Sequence, residues 1–348
     1  MPASPRRATL ATVAASAGVS VATVSKVLNG RSDVAPATRT LVESLLREHD
    51  YVALSPRRGL ATDGAVATDT VEVQFDNDFN AYSTEIIQGV VTAGAELDVG
   101  VVVSVRKKID HAAAWARDLV AAGRRALISV TSDQLTTRQL TALSRAQLPL
   151  VVIDPLNLPH ARLTSVGSTN FAGGLAATQH LLSLGHRRIA YIGGPTTAAC
   201  NQARLHGYRA AMEAEGAHVL PGYTRFGHFR YRDGLEHGTA VLDLPEPPTA
   251  IFVGCDETAL GVMEAARARG LRIPEDLSIV GFDDTQIARM ASPPLTTVRQ
   301  PLREMGGVAL RTALRLAAGE KIDSHHVELA TELIVRGSTA DVTCSEHA

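Results

Sequence analysis

The sequence predicts a small all-α head carrying a helix-turn-helix, followed by an α/β core of two parallel-sheet lobes. Three observations lead there. Two short amphipathic segments meet around Gly18 near the N-terminus. From Thr70 onward, short β-branched apolar runs alternate with stretches of helical pattern, the signature of βαβ units. The charge also changes sign: residues 1–62 hold eight Arg or Lys against four Asp or Glu, while the rest hold 26 basic against 32 acidic. A basic head on an acidic body points the head toward a polyanion.

At 348 residues the chain has room for two or three domains. Its 45% hydrophobic and 20% charged content is that of an ordinary globular protein. The absence of any apolar run of membrane-spanning length argues against a transmembrane helix. Cys200, Cys255 and Cys344 form no CxxC pair, so neither a disulfide scaffold nor a zinc ribbon is expected. Arg6-Arg7 ahead of an alanine-rich stretch imitates an export signal, but Thr9, Thr12 and Ser16 dilute the apolar core and a cytoplasmic chain is expected. The basic residues are 30 Arg to four Lys, a usage that lowers the weight of any single arginine.

In the head, Thr9 suits an N-cap, and Leu10, Val13, Ala14 and Ala17 recur at helical spacing. Gly18 ends that helix, because glycine takes the left-handed conformation at little cost. Val19 fills the turn, and Ser20 caps a second helix running from Val21 to Asn29. That helix turns Val24, Val27 and Leu28 inward and leaves Val21, Ala22, Ser25, Lys26 and Asn29 outward. A third helix runs from Pro36 to about His49 on Leu41, Val42, Leu45 and Leu46. Two helices around a tight glycine turn form a helix-turn-helix, whose second helix enters the major groove.

In the body, Val99–Ser104, Ala126–Val130, Leu150–Ile153, Arg188–Ile192, Ala250–Val253 and Ser278–Phe282 read as buried strands. Ligands collect at the carboxyl ends of such strands, and there stand Asp154, Asp256, Asp283 and Asp284. These carboxylates fit a hydrolase pair, a magnesium site or acceptors for sugar hydroxyls, and Asp256 equally fits the start of a helix over 257–268. No GxSxG, HExxH or P-loop supports an enzyme, and Gly193-Gly194-Pro195 is not GxGxxG. His180, His186 and His206 lack metal-ligand spacing, so no metal or cofactor is expected.

Leu10-Ala11-Thr12-Val13-Ala14, Ala17-Gly18-Val19-Ser20 and Thr23-Val24-Ser25-Lys26-Val27-Leu28-Asn29 together resemble the N-terminal signature of the LacI/GalR family of bacterial transcription regulators, and the resemblance runs nearly to the C-terminus. It implies a periplasmic-binding-protein-like sensor core that binds a small molecule and dimerises, and a head that reads half of a palindromic operator. By position, Val21 and Ala22 fall where the family reads bases. Lys26 stands where arginine is common, and lysine donates to guanine without the bidentate fork. Ser20, Thr23, Ser25 and Asn29 suit phosphate contacts, and Thr9 and Leu10 complete the DNA-facing set. In the hinge, Leu54-Ser55-Pro56-Arg57-Arg58-Gly59-Leu60-Ala61 departs from the usual Asn-x-x-Ala-Arg-x-Leu. Leu60 falls where the family wedges a leucine between base steps, and Arg57 and Arg58 face phosphate or minor groove. Gly59 weakens that helix by roughly 1 kcal/mol relative to alanine, so it is expected to fold only on DNA.

The same resemblance implies an effector pocket lined by Asp154, Arg204, Asp256 and Asp283, with Tyr82 and Phe229 stacking on ligand and Gln300 at a crossover. Gln74-Phe75-Asp76-Asn77-Asp78-Phe79 departs from the common Asp-x-x-Asn-Pro-Phe pattern there. Expected boundaries are a head over 1–52, hinge and linker over 53–69, a core over 70–338 and a tail over 339–348. Within the core, one lobe takes 71–166 with 298–327 and the other 167–297 with 328–338. The expected protein is a homodimeric, sugar-responsive repressor of a palindromic operator, its effector a mono- or oligosaccharide of xylose-related or plant-polysaccharide type. The rival is a sugar-binding or sugar-processing protein with a structural head.

Overall fold

The computed structural model describes residues 10–28, 34–48, 70–76, 79–106, 109–130, 135–155 and 163–342. They fall into two compact units, one within 1–66 and the other within 67–348.

The first unit is three helices: α1 (Leu10–Ala17), α2 (Val21–Leu28) and α3 (Pro36–Glu48). Gly18 has φ +64°, and the Val19 amide donates to Ala14 while the Gly18 amide donates to Ala15, the paired bonds of a Schellman cap. Ser20 then caps α2, its hydroxyl accepting the Thr23 amide at 3.1 Å. Val13, Ala14, Val24, Val27 and Val42 are buried, with Ala17, Val19, Val34, Leu45 and Leu46 packed around them. Leu41, expected inside, is 46% exposed. It directly precedes buried Val42, and a face this small closes over one of the two.

The second unit opens with β1 (Thr70–Phe75), α4 (Ala81–Glu96), β2 (Gly100–Val105), α5 (Ala112–Ala121) and β3 (Arg124–Val130). It continues through α6 (Thr137–Arg145), β4 (Leu150–Ile153) and β5 (Thr164–Ser168). The chain then crosses into α7 (Asn170–Ser183), β6 (Ile189–Gly193), α8 (Ala199–Ala214), β7 (Thr224–Phe226) and α9 (Tyr231–Leu242). After these come β8 (Ala250–Val253), α10 (Asp256–Arg267), β9 (Ser278–Asp283), α11 (Gln286–Met290) and β10 (Thr296–Arg299). It returns for α12 (Leu302–Ala317) and β11 (His326–Leu329) and closes on β12 (Glu332–Ile334). One sheet has the order β11-β5-β4-β3-β1-β2 and the other β12-β10-β9-β8-β6-β7. All pairings are parallel except β10 with β12.

The crossings come later than expected. β5 stays in the first sheet through Ser168 and β11 through Leu329, where Glu328 pairs with Gly167 and Leu329 with Ser168. β10 stays in the second sheet through Arg299, pairing Val298 with Leu333 and Arg299 with Glu332. The expected breaks after 166, 297 and 327 therefore cut three strands. Ladder pairing, which has no turn residue to mark it, sets the exit points.

Each lobe brings helices together at glycines. In the second lobe, a Cβ on Gly174 of α7 would lie 2.3 Å from the Arg204 carbonyl, and one on Gly207 of α8 would lie 2.3 Å from the Phe171 carbonyl. This approach seats α8, and Arg204 with it, against α7. Gly174→Ala is expected to lower the unfolding free energy by about 1–3 kcal/mol through overpacking. Gly167→Ala, where a Cβ meets nothing within 4 Å, is the control and should change it little; urea unfolding of both variants checks this.

Candidate functional site

In the head, the outward face of α2 presents Val21 (46% exposed), Ala22 and Lys26. Val24 and Val27 turn inward, which fixes that orientation. Ser20 and Thr23, expected on phosphate, also bond each other, their hydroxyls 2.9 Å apart. The side chains of Leu10 and Ser25 lie outside the described residues, as do Thr9, Asn29, Arg57, Arg58 and Leu60.

In the core, a cavity of about 520 Å³ opens at the carboxyl ends of both sheets. The first lobe contributes Phe75, Asn80, Tyr82, Ser83 and Asp154; the second contributes Cys200, Arg204, Phe229, Cys255, Asp283 and Thr285 among others. Five of the seven expected residues thus line it: Tyr82, Asp154, Arg204, Phe229 and Asp283.

Arg204 is 3% exposed and held on three sides. Its Nε donates to Asn170 Oδ1 at 2.8 Å, one terminal nitrogen donates to the Gly254 carbonyl at 2.6 Å, and the guanidinium stacks 3.8 Å over the Phe282 ring. Asp154 follows β4 directly at φ +49° and accepts from the Tyr82 hydroxyl at 3.3 Å. Burial raises its pKa, opposed by Arg204, Tyr82 and Asn170. Asp283 ends β9 at φ +115°, and burial pushes its carboxyl well up, again against Arg204. The guanidinium itself meets a burial penalty that Cys200, Asp283 and Asp154 outweigh, so its pKa rises. Phe229 (φ +61°) rests against Gly194, where a Cβ would lie 2.1 Å from its ring.

Two expected residues are placed elsewhere. Asp256 does not line the cavity. It sits in the first turn of α10, where its carboxylate accepts from the Thr285 amide (2.8 Å), the Thr285 hydroxyl (3.0 Å) and the Thr297 hydroxyl (2.6 Å). The reading of Asp256 as the start of a helix thus describes its position better than the ligand reading, and its saturated oxygens explain why it turns away. Gln300 stands behind the cavity: its Nε2 donates to Asp283 Oδ1 at 2.7 Å, and its Oε1 accepts from the Ser168 hydroxyl. It positions Asp283 at the crossing of the two lobes.

Sequence reading missed Asn80, Ser83 and Asn170. Asn80 and Ser83 form a capping box on α4, Asn80 Oδ1 accepting the Ser83 amide at 2.9 Å and the Ser83 hydroxyl accepting the Asn80 amide at 2.6 Å. The Asn-x-x-Ser spacing was there to be read. Asn170 opens α7 immediately after the crossing, a position that only the three-dimensional approach to Arg204 makes significant.

A family profile described as "Bacterial regulatory proteins, lacI family" matches residues 9–53. A second, "Periplasmic binding protein-like domain", matches 178–339. The HTH-type transcriptional regulator CelR of Thermobifida fusca is 35% identical over 347 residues, spanning 96% of this chain and 98% of its own. The chain belongs to the LacI family of bacterial regulatory proteins. Another LacI-type relative, the transcriptional repressor CytR of Escherichia coli (strain K12), is 32% identical over 95% of this chain and 96% of its own. A solved CelR–cellobiose complex superposes with TM-score 0.71 at 32% identity, covering 95% of this chain and all of that one. The lac repressor dimer bound to operator and the anti-inducer ONPF gives 0.69 at 27% identity, covering 96% and 100%. LacI-family membership makes this chain a DNA-binding transcriptional regulator, and its relatives are regulators, not enzymes. Among the described residues no helix is long and apolar enough to cross a membrane.

The burial of Asp256 has a measurable consequence. Its pKa is raised from 3.8 to about 7, chiefly by burial. The folded chain therefore keeps a proton that the unfolded chain releases between those values, and folding stability falls as pH rises through that window. Asp256→Asn is expected to flatten this slope without abolishing it, since Asp154 and Asp283 shift in the same direction. Urea unfolding across that pH range measures it.

Proposed function

We propose that this regulator is a homodimeric repressor that acts in the cytoplasm on a palindromic operator and is released by a mono- or oligosaccharide in the core cavity. The observation that carries this reading is that one chain bears both an outward face of Val21, Ala22 and Lys26 on a capped second helix and a buried polar–aromatic cavity. The similarity to a CelR–cellobiose complex and to a lac repressor on its operator supports it.

In this mechanism two heads engage the two half-sites, because one head reads only half of a palindrome. Lys26 donates to a guanine edge, while Val21 and Ala22 offer apolar contact to thymine methyls. In the cavity, Asp154 and Asp283 accept sugar hydroxyls, the remaining Arg204 donors fork neighbouring oxygens, and Tyr82 and Phe229 pack on the apolar face of the ring. The effector binds better to a lobe arrangement with low operator affinity, and its differential affinity sets how far release can go.

The test is selection of binding sites from random duplex DNA by the purified full chain, then titration of the selected site with and without cello- and xylo-oligosaccharides. A palindromic site whose affinity falls with sugar is the expected result; selection of no sequence would overturn the repressor reading. Lys26→Ala should lose discrimination at its base pair, worth about 1–3 kcal/mol, and leave the thermal response to sugar unchanged. An effector at 100 times its dissociation constant should add about 2.7 kcal/mol of stability, visible as a rise in Tm.

A further inference from the structure

The cavity buries more negative charge than positive. Asp154 and Asp283 are 5% and 6% exposed, and Arg204 is the single cation buried beside them among the described residues. The other charged lining residues are half-buried Glu257 and exposed Arg230, with His228 also exposed. One guanidinium offsets one carboxylate. The remaining charge faces neutral groups, the Tyr82 hydroxyl and the Asn170 side chain on Asp154 and the Gln300 amide on Asp283. The Gln300 bond engages Asp283 through Oδ1, and the Tyr82 bond engages Asp154 through Oδ2. An uncompensated buried carboxylate is costly, and a cation supplied by a ligand removes that cost.

The cavity also limits the shape of its occupant. Its volume of about 520 Å³ lies within the usual range for small-molecule sites and admits a ligand of disaccharide size. Phe75, Tyr82 and Phe229 line it with aromatic surface, which attracts both sugar C–H faces and ammonium groups.

We propose that the preferred occupant is an amine-bearing oligosaccharide of disaccharide size, its ammonium seated against Asp283 to supply the missing positive charge. This rests on the carbohydrate reading of the cavity. Charge-assisted hydrogen bonds to a buried carboxylate are stronger than those of a hydroxyl, so replacing a ligand hydroxyl by an ammonium should tighten binding. A neutral disaccharide leaves the excess charge where it is, and an acidic or phosphorylated sugar adds to it.

The experiment is calorimetric titration of the full chain with two matched probes, cellobiose and the fully deacetylated chitin disaccharide, which differ by an amine in place of one hydroxyl on each ring. At a pH where the amines are protonated, the chitin-derived sugar is expected to bind about tenfold more tightly or better. That preference should shrink as pH is raised through the amine pKa, with the cellobiose series at each pH separating out the protein's own titration. Asp283→Asn should abolish most of the preference; if that variant does not fold, the pH series on the native chain decides alone. Equal or tighter binding of cellobiose overturns the proposal and leaves the carbohydrate reading intact. Binding of neither sugar overturns the proposal and counts against the carbohydrate reading as well.

Discussion

The core is organised around one buried guanidinium. Arg204 is almost wholly buried, and a charge so placed must be paired and hydrogen-bonded. Its setting meets that requirement from three directions: the Asn170 side-chain Oδ1 at the start of α7, the Gly254 backbone carbonyl after β8, and the Phe282 ring on β9. Each group lies on a different element of the second lobe, so the guanidinium can be seated only when α7, β8 and β9 are in register. The glycines of α7 and α8 serve the same end, since a side chain at Gly174 or Gly207 would push the arginine's helix outward. Asp154, from the first lobe, then finds a fixed positive charge across the cavity.

The sequence exposed different parts of this to different degrees. The βαβ alternation was legible because a parallel strand buried on both faces must be continuously apolar, as in Leu150–Ile153 and Ala250–Val253. β5 and β7 escaped notice because Thr164–Ser168 and Thr224–Phe226 carry little apolar pattern; partners on a sheet already formed define them as strands. Carboxylates at strand ends could be found, but not the direction each one faces. Asp154 and Asp283 turn into the cavity, whereas Asp256 turns into three hydrogen-bond donors contributed by Thr285 and Thr297, residues some 30 and 40 positions further along. In the head, spacing and caps sufficed because the motif is local: Gly18 and Ser20 act within a few residues of themselves.

The adjoining aspartates 283 and 284 divide two tasks that a strand end seldom combines. Asp283 faces the cavity, while Asp284 (φ +54°) takes Arg299 on one oxygen and Arg336 on the other. The left-handed conformation of both residues sends neighbouring side chains to such different places. Two arginines on Asp284 hold the end of β9 to β10 and to the segment after β12, so Asp283 is presented from a fixed base. A strained backbone of this kind persists only where its surroundings over-determine it, and here the paired arginines do so.

From that base, cavity and crossings form one hydrogen-bonded path. Asp283 accepts from Gln300, which leads into α12, and Gln300 accepts from Ser168, which leads into α7. The third crossing is joined alongside, where Thr331 donates its amide to the Thr169 hydroxyl at 3.0 Å. All three strands passing between the lobes therefore meet within two residues of a chain of bonds that begins on a cavity carboxylate. A ligand that merely fills the cavity, contacting both lobe arrangements equally, shifts nothing however tightly it binds. A ligand that draws on Asp283 changes the group that Gln300 holds, and Gln300 belongs to the crossing itself. In the repressor reading, control of the operator would then depend less on total affinity for the effector than on the share of that affinity falling on Asp283.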